Sequence, residues 1–422
     1  MRTDVRLFFY LGMLIAFMGS MHPWFMWCMG DKYIIYATFC FLISMIIEAL
    51  LGKERLQIGV KFGRCYTRQK FAAPLLAYIA LSVYMLVTQR RNFNAHLLNL
   101  FNTFLFLALF QVRLDELKRF FNFLAKAMGG FLAISMIAYL LYLLGYNFPS
   151  REISYLKYYD FINYKYFMVS ANSFMDPPRF QSVFIEPGHL GTMTALLLFT
   201  QTGKWRRWYN ISLLIATLIS FSLEAYAILI SIIFLGLWIR GQKIVRKAIL
   251  ATITLTAITI GANIYNNGNN MLHDLIIMRM EFEDGKMVGD NRVTQSFQED
   301  YDEFLESSDV IKGGREIKER QGNAGFRVYI YEHGLIGMSL LILFYVLSMR
   351  QKGNNRAFWS VIIVAGIAFY TRGRPLEFFL FFSLYVVAKI PFQDTDYRSI
   401  PSRKKQITTQ EIATGKIISD GH

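Results

Sequence analysis

Residues 179–202 read RFQSVFIEPGHLGTMTALLLFTQT, an arginine, a glutamate, a proline and a histidine set directly against a long apolar run. An ionisable side chain deep in a bilayer costs about 2.5 to 3.5 kcal/mol on insertion scales, so such groups usually line a cavity or a ligand path. The reading of this stretch therefore turns on whether the apolar run beside it belongs to a membrane protein.

The whole chain answers that it does. It has 422 residues, 54% of them hydrophobic, with 38 Phe and 24 Tyr, outside the range of ordinary soluble domains. Apolar windows fall near 7–25, 33–51, 71–88, 96–112, 124–145, 186–202, 208–222, 225–240, 248–265, 327–349, 357–371 and 375–389. About 20 residues cross a hydrocarbon core, and shorter segments need tilt or burial, so the pattern predicts an all-α polytopic membrane protein with about 12 transmembrane helices.

The basic residues orient these windows, because short cytoplasmic loops collect Lys and Arg. Arg2 and Arg6 precede the first window, and Lys53, Arg55, Lys61, Arg64, Arg68 and Lys70 follow the second. Arg113, Lys118, Arg119 and Lys126 follow the fourth, and further clusters stand at Lys204 to Arg207, Arg240 to Lys247, Arg350 to Arg356 and Arg403 to Lys405. All lie on one side if both termini are cytoplasmic. The formal charge of +15 is thus mostly an orientation signal, not a nucleic-acid footprint. Arg90 and Arg91 break the rule, either as tolerated exceptions or as ligands for an anionic group. The first window runs through His22, Pro23 and Trp24 without a small-residue cleavage pattern, which reads as an uncleaved anchor. Cys28, Cys40 and Cys65 have no metal or disulfide spacing.

The transmembrane domain, residues 1–390, carries two long outer loops. The first, about 146–178, is rich in tyrosine, either an interfacial belt or a sugar-stacking surface. The second, about 265–325, is polar and acidic, with LHDLIIMRM and VTQSFQEDYDEFL as short amphipathic helices, the latter capped by Asp290 or Asn291. A loop of that length is usually a lid or a binding element. Residues 391–422 form a polar, charged cytoplasmic tail with the composition of a disordered segment.

Within 179–191, Glu186 and Pro187 mark a helix start, where a carboxylate is favoured by the macrodipole. The same Glu186 lies on one helical face with His189 and beside Arg179, a placement that suits a general base. Arg292 in the acidic loop, Arg327 at the head of the tenth window, and Arg372 and Arg374 in YTRGRPLEFF add guanidinium groups in further outer segments. Guanidinium binds phosphate bidentately, so these arginines suggest an outward pocket for a membrane-embedded phosphate or pyrophosphate.

Arg179 with Phe184, Glu186, Pro187 and Gly188, the FSLEAYAIL segment Phe221 to Leu229, Asn291–Arg292, and Gly334, Leu335, Ile336 and Gly337 together resemble the bacterial Wzy-type O-antigen and capsular polysaccharide polymerases, relatives of the O-antigen ligases. The resemblance implies a metal-independent glycosyltransferase of the bacterial inner membrane with its active site facing the periplasm. Such an enzyme moves a growing glycan from undecaprenyl pyrophosphate onto a lipid-linked repeat unit. Arg179, Arg292, Arg327, Arg372 and Arg374 would hold the pyrophosphate, and Glu186 or His189 would take the acceptor proton. The resemblance implies no cofactor and no metal, with membrane lipids, a chain-length regulator and a flippase as partners. The ligases carry a His-Asn pair ahead of the Gly-Leu-Ile-Gly run, whereas here RQGNAGF has Asn323 and no histidine, which favours polymerase over ligase. His333 beside Gly334 reads as a helix-boundary residue. A transporter of lipid-linked oligosaccharide is the alternative of another class, and it requires charges buried near the bilayer centre.

Overall fold

The computed structural model describes residues 2–27, 33–52, 58–61, 64–67, 72–88, 104–106, 108–155, 159–164, 168–171, 179–240, 259–268, 273–278, 294–317, 325–351, 355–371 and 375–389, with 249, 253, 256, 270, 282–283 and 286–287 besides. The chain is mostly helical. We number the principal helices α1 (Arg2–Gly19), α2 (Tyr33–Ile47), α3 (Ala72–Thr88), α4 (Leu114–Leu143), α5 (Pro187–Thr200), α6 (Trp208–Ile219), α7 (Leu223–Ile239), α8 (Gln295–Glu306), α9 (Asp309–Lys312), α10 (Gly325–Met349), α11 (Asn355–Thr371) and α12 (Phe378–Lys389).

Among the described residues, two helices, Leu114–Leu143 and Gly325–Met349, are long and apolar enough to cross a membrane, and seven others are apolar but shorter. Their surroundings separate an inner from an outer set. Every residue of α12 is buried, and so are Leu190 to Phe199 of α5. A helix that is apolar and buried all round belongs at a core. Phe381 of α12 lies 4.6 Å from Phe106 and is stacked at 5.1 Å on Phe344, while Phe382 is stacked at 5.7 Å on Phe120. The outer helices instead present apolar stripes to their surroundings at helical spacing. Phe39, Ile43 and Ile46 on α2, Leu76, Ile79 and Val83 on α3, Ile134, Ile137 and Leu141 on α4, and Ile211, Ile215 and Leu218 on α6 are exposed. Water-facing surfaces rarely carry such continuous apolar faces.

The helix boundaries depart from the sequence windows in three places. α1 ends at Gly19, not at 25, because Pro23 cannot continue a helix and disfavours the helical region for its predecessor. His22 accordingly turns left-handed, with φ 52°. α4 begins at Leu114, so Lys118, Arg119 and Lys126 sit on the helix and not in a loop. Its first turns are held by a buried carboxylate: Glu116 accepts from Tyr10 at 2.9 Å and from Arg119 at 2.8 Å, and Tyr10 in turn accepts from Arg6 at 3.1 Å. The tyrosine-rich segment after α4 is not plain loop. Ser150–Tyr155, Tyr159–Tyr164 and Met168–Ala171 pair as a three-stranded antiparallel sheet, and Ile58–Lys61 pairs with Arg64–Thr67 as a hairpin. Aromatic and β-branched residues alternating with polar ones favour strand, so the all-α expectation holds for the helical body but not for these connections.

The acidic segment also differs in detail. α8 is capped by Thr294, whose hydroxyl accepts from the Phe297 amide at 3.4 Å, in place of the expected Asp290 or Asn291. Among the described residues of LHDLIIMRM, His273–Ile277 form one short helical turn.

Candidate functional site at the head of α5

Three connections meet at the N-terminal end of α5. Gln181 and Phe184 close a tight turn, with the Phe184 backbone N–H donating to the Gln181 carbonyl at 3.1 Å and the Gln181 side-chain Nε2 donating to the Phe184 carbonyl at 3.1 Å. Ser182 within it has φ 54°. Glu186 then stands in the extended N-cap conformation and Pro187 occupies the first helical position, as the sequence predicts. The Glu186 carboxylate does not cap the helix amides. It points instead toward His189, with Oε2 at 3.5 Å from Nδ1, and is half-exposed while the imidazole is largely covered.

The second connection is the turn between α6 and α7, where FSLEAYAIL begins with Phe221 and Ser222 before running on as the first turns of α7. Arg179 donates from Nη1 to the Phe221 carbonyl at 3.1 Å. Phe221 has φ 46°, an outlier for a bulky side chain, and it is this conformation that carries the carbonyl accepting from the guanidinium. Thr192 on α5 donates to Glu224 on α7 at 2.9 Å, and Glu224 is buried. The two helices touch through Gly191, where an added Cβ would stand 2.5 Å from Ala225 Cβ and 2.7 Å from Ser220 Oγ. Two of the stretches that carry the family resemblance, Arg179–Gly188 and Phe221–Leu229, are therefore packed against each other.

The third connection was missed in the sequence. The turn after α1 brings His22 edge-on to His189, ring centroids 5.9 Å apart, and the Trp24 amide donates to the Val183 carbonyl at 2.9 Å. Ser20 Oγ accepts from the Phe379 amide at 3.1 Å, tying the end of α1 to the first turn of α12. Glu377, immediately before α12, thereby joins the histidines: one donor atom from each of His22, His189 and Glu377 lies within 4.8 Å of the other two. A histidine interrupting an apolar window and a carboxylate opening the last one were the signals, since both are costly in a membrane.

Backbone strain concentrates at this point, and buried polar atoms without hydrogen-bond partners occur here as they do elsewhere in the interior. Of the five non-glycine residues with positive φ among the described residues, His22, Ser182 and Phe221 are here, and the other two are Asn266 and Asn267, a type that tolerates the conformation. Such residues cost about 1 to 3 kcal/mol each and persist where the surroundings over-determine them, often at ligand sites. His189 Nδ1, Trp24 Nε1, Ser182 Oγ and Glu377 Oε2 are buried without a hydrogen-bond partner.

The remaining predicted residues are distributed differently. Arg327, in the first turn of α10, donates to Gln298 Oε1 at 2.8 Å and lies 5.9 Å over the Tyr301 ring, so its partners come from α8 and not from the head of α5. Arg292, Arg372 and Arg374 lie outside the described residues. His333 stands at the boundary the sequence predicts, as the last residue before a break within α10, and it is buried there, with Nδ1 3.1 Å from Thr88 Oγ1 and its ring 4.7 Å from Tyr329. The break in α10 comes one residue later, at Gly334, with φ 63° and ψ −173°. Comparison of the chain with protein-family models, with curated proteins and with solved structures returns no match.

Proposed function

We propose that this chain is a polytopic glycan polymerase of the bacterial inner membrane, with about 12 transmembrane helices in the sense of the apolar windows. The observation that carries the reading is that the stretch bearing Arg179 and the Glu186–His189 pair packs on the Phe221–Leu229 segment, through Arg179 to Phe221 and Thr192 to Glu224. These are the stretches through which the sequence resembles Wzy-type polymerases, and they form one cluster with unmet polar groups in it. The apolar stripes on α2, α3, α4 and α6 support the membrane setting.

In this reading the acceptor hydroxyl of a lipid-linked repeat unit attacks the anomeric carbon of the donor glycan. The bond to the pyrophosphate oxygen breaks, and undecaprenyl pyrophosphate leaves with the bonding electron pair. Arg179 stabilises the charge that grows on that oxygen, with Arg292, Arg372 and Arg374 as further ligands. The proton of the hydroxyl passes to Glu186 or His189. Arg327 acts less directly, by holding α8 against α10. Loss of one preorganised donor of this kind costs about 10² to 10³ in rate, by analogy with oxyanion-hole donors.

Cells carrying Arg179→Ala at normal protein level should lose long polysaccharide ladders and accumulate single-repeat glycans. Unchanged ladders would refute the assignment, and long lipid-linked chains with uncapped acceptor would identify a ligase. A transport reading is favoured by one observation, the burial of Glu48 and Glu224, although Glu224 stands in the first turn of its helix and Glu48 just after the end of α2. Purified protein in vesicles with lipid-linked repeat units separates the two: elongation supports the polymerase, and lipid movement without bond formation supports transport.

A further inference from the structure

We infer that His22, His189 and Glu377 form a site for a divalent transition-metal ion, of the zinc class, at the head of α5. The inference goes beyond the polymerase reading and departs from the metal-free chemistry that the family resemblance implies.

The three side chains come from three separate parts of the chain: the turn after α1, the first turn of α5, and the residue before α12. Their donor atoms already lie within 4.8 Å of one another. A tetrahedral ion with bonds of about 2.0 to 2.1 Å places its donors roughly 3.3 Å apart, so side-chain adjustment of at most about 1.5 Å closes the set. Two imidazoles and one carboxylate are a donor combination that takes zinc and, with more open positions, iron, cobalt or manganese.

Packing alone gives no reason for this grouping. Glu377 Oε2 is buried and unsatisfied, which a folded interior normally avoids, and His189 Nδ1 makes no hydrogen bond, its nearest carboxylate being that of Glu186 at 3.5 Å. The backbone around them is held in place independently of the three side chains. Ser20 receives the Phe379 amide, the Trp24 amide reaches Val183, and His22 is kept left-handed between them. Ligands carried on rigid, mutually tied segments are what a preorganised metal site requires. An ion here would neutralise the Glu377 carboxylate, satisfy His189 and lock α1, α5 and α12 together.

Three protein ligands leave at least one coordination position open. Resting on the polymerase reading, that position would take a phosphate oxygen of the donor lipid, at the same end of α5 as Arg179. With His189 on the metal, the proton-accepting role falls to Glu186 alone.

The test uses the full chain purified in detergent, stripped with chelator and titrated with Zn²⁺ against a chromophoric competitor, and separately with Co²⁺ for its visible ligand-field spectrum. Wild type should bind one ion and show a Co²⁺ spectrum of low coordination number. His22→Asn, His189→Asn and Glu377→Gln should each weaken binding at least tenfold, whereas Arg179→Ala should retain it. Circular dichroism and size-exclusion profiles identify variants that fail to fold, and for those the wild-type Co²⁺ spectrum decides. No stoichiometric binding by wild type, or binding that folded His22→Asn and Glu377→Gln variants keep, overturns the inference. Loss of elongation in Arg179→Ala with no metal bound by wild type would remove the ion and leave the polymerase reading standing.

Discussion

The head of α5 and the docking surface of α8 both set arginine among aromatic and acidic residues, yet they are built on opposite terms. At the α8 surface the polar and apolar groups find one another. Phe297, Tyr301 and Phe304 pack with Val328 and Tyr331 of α10, Arg327 donates to Gln298, and Arg315 pairs with Asp309 at 3.1 Å and Glu303 at 3.3 Å. At the head of α5, buried nitrogen and oxygen atoms are left without partners, three non-glycine residues are held left-handed, and Glu186 stands half-exposed beside His189. Saturated partners make a clamp; unmet ones make a place for a ligand. An arginine near an apolar run is therefore not enough to mark a binding site, and what its neighbours still need is the better criterion.

The strongest way to break this contrast is on activity. Arg179→Ala should lower elongation by about 10² to 10³, whereas Arg327→Ala should leave most of it, since it only loosens α8. Equal loss in both, measured with purified protein and lipid-linked repeat units, would merge the two regions into one site. On stability the order reverses. Phe304 is fully buried, and Phe304→Ala should cost about 3 to 5 kcal/mol of α8 docking, seen as faster proteolysis and hydrogen exchange in 295–306.

Gly334→Ala should come next. Its φ of 63° with ψ of −173° belongs to glycine, and an added Cβ would stand 2.5 Å from both Gly313 N and Ile311 O, where α9 docks. A loss of about 1 to 3 kcal/mol is expected, read as a lower melting temperature with the head of α5 unaffected. Arg327→Ala should cost only about 1 kcal/mol, from one hydrogen bond and one ring contact.

The smallest effect is in pH. Burial raises the Tyr301 phenol above its ordinary range, Arg327 opposes the rise and Asp302 adds to it. The neutral phenol is the docked form. Its contribution is complete below the unfolded value near 10 and is lost as pH climbs through the raised one. Arg327→Ala should push that transition higher still. With 24 tyrosines in the chain, the difference titration against Tyr301→Phe isolates it.

Most of the helical body was legible from period and hydropathy. Windows at 71–88, 208–222, 225–240, 327–349, 357–371 and 375–389 became α3, α6, α7, α10, α11 and α12 within a few residues, because an apolar run must satisfy its backbone internally wherever water is excluded. Pro187 placed the start of α5 within one residue of the predicted window. The strands at 150–171 escaped notice because a tyrosine-rich segment serves an interface or a sheet equally well. The start of α4 escaped because its charged first turns look like loop until Tyr10 and Arg6 are brought to Glu116.

Sequence alone determined which segments are apolar, where proline starts or stops them, and that Glu186 and His189 share a helical face. Only the tertiary structure decided which distant residues join them. His22 and Glu377 lie 355 positions apart in the chain, as the numbering shows, and meet because Ser20 caps the start of α12. Arg327, by contrast, was drawn to α8 by a glutamine and a tyrosine ring. Helical periodicity is local and visible in a window of residues, whereas the partner of a buried polar group is chosen by the packing of whole helices.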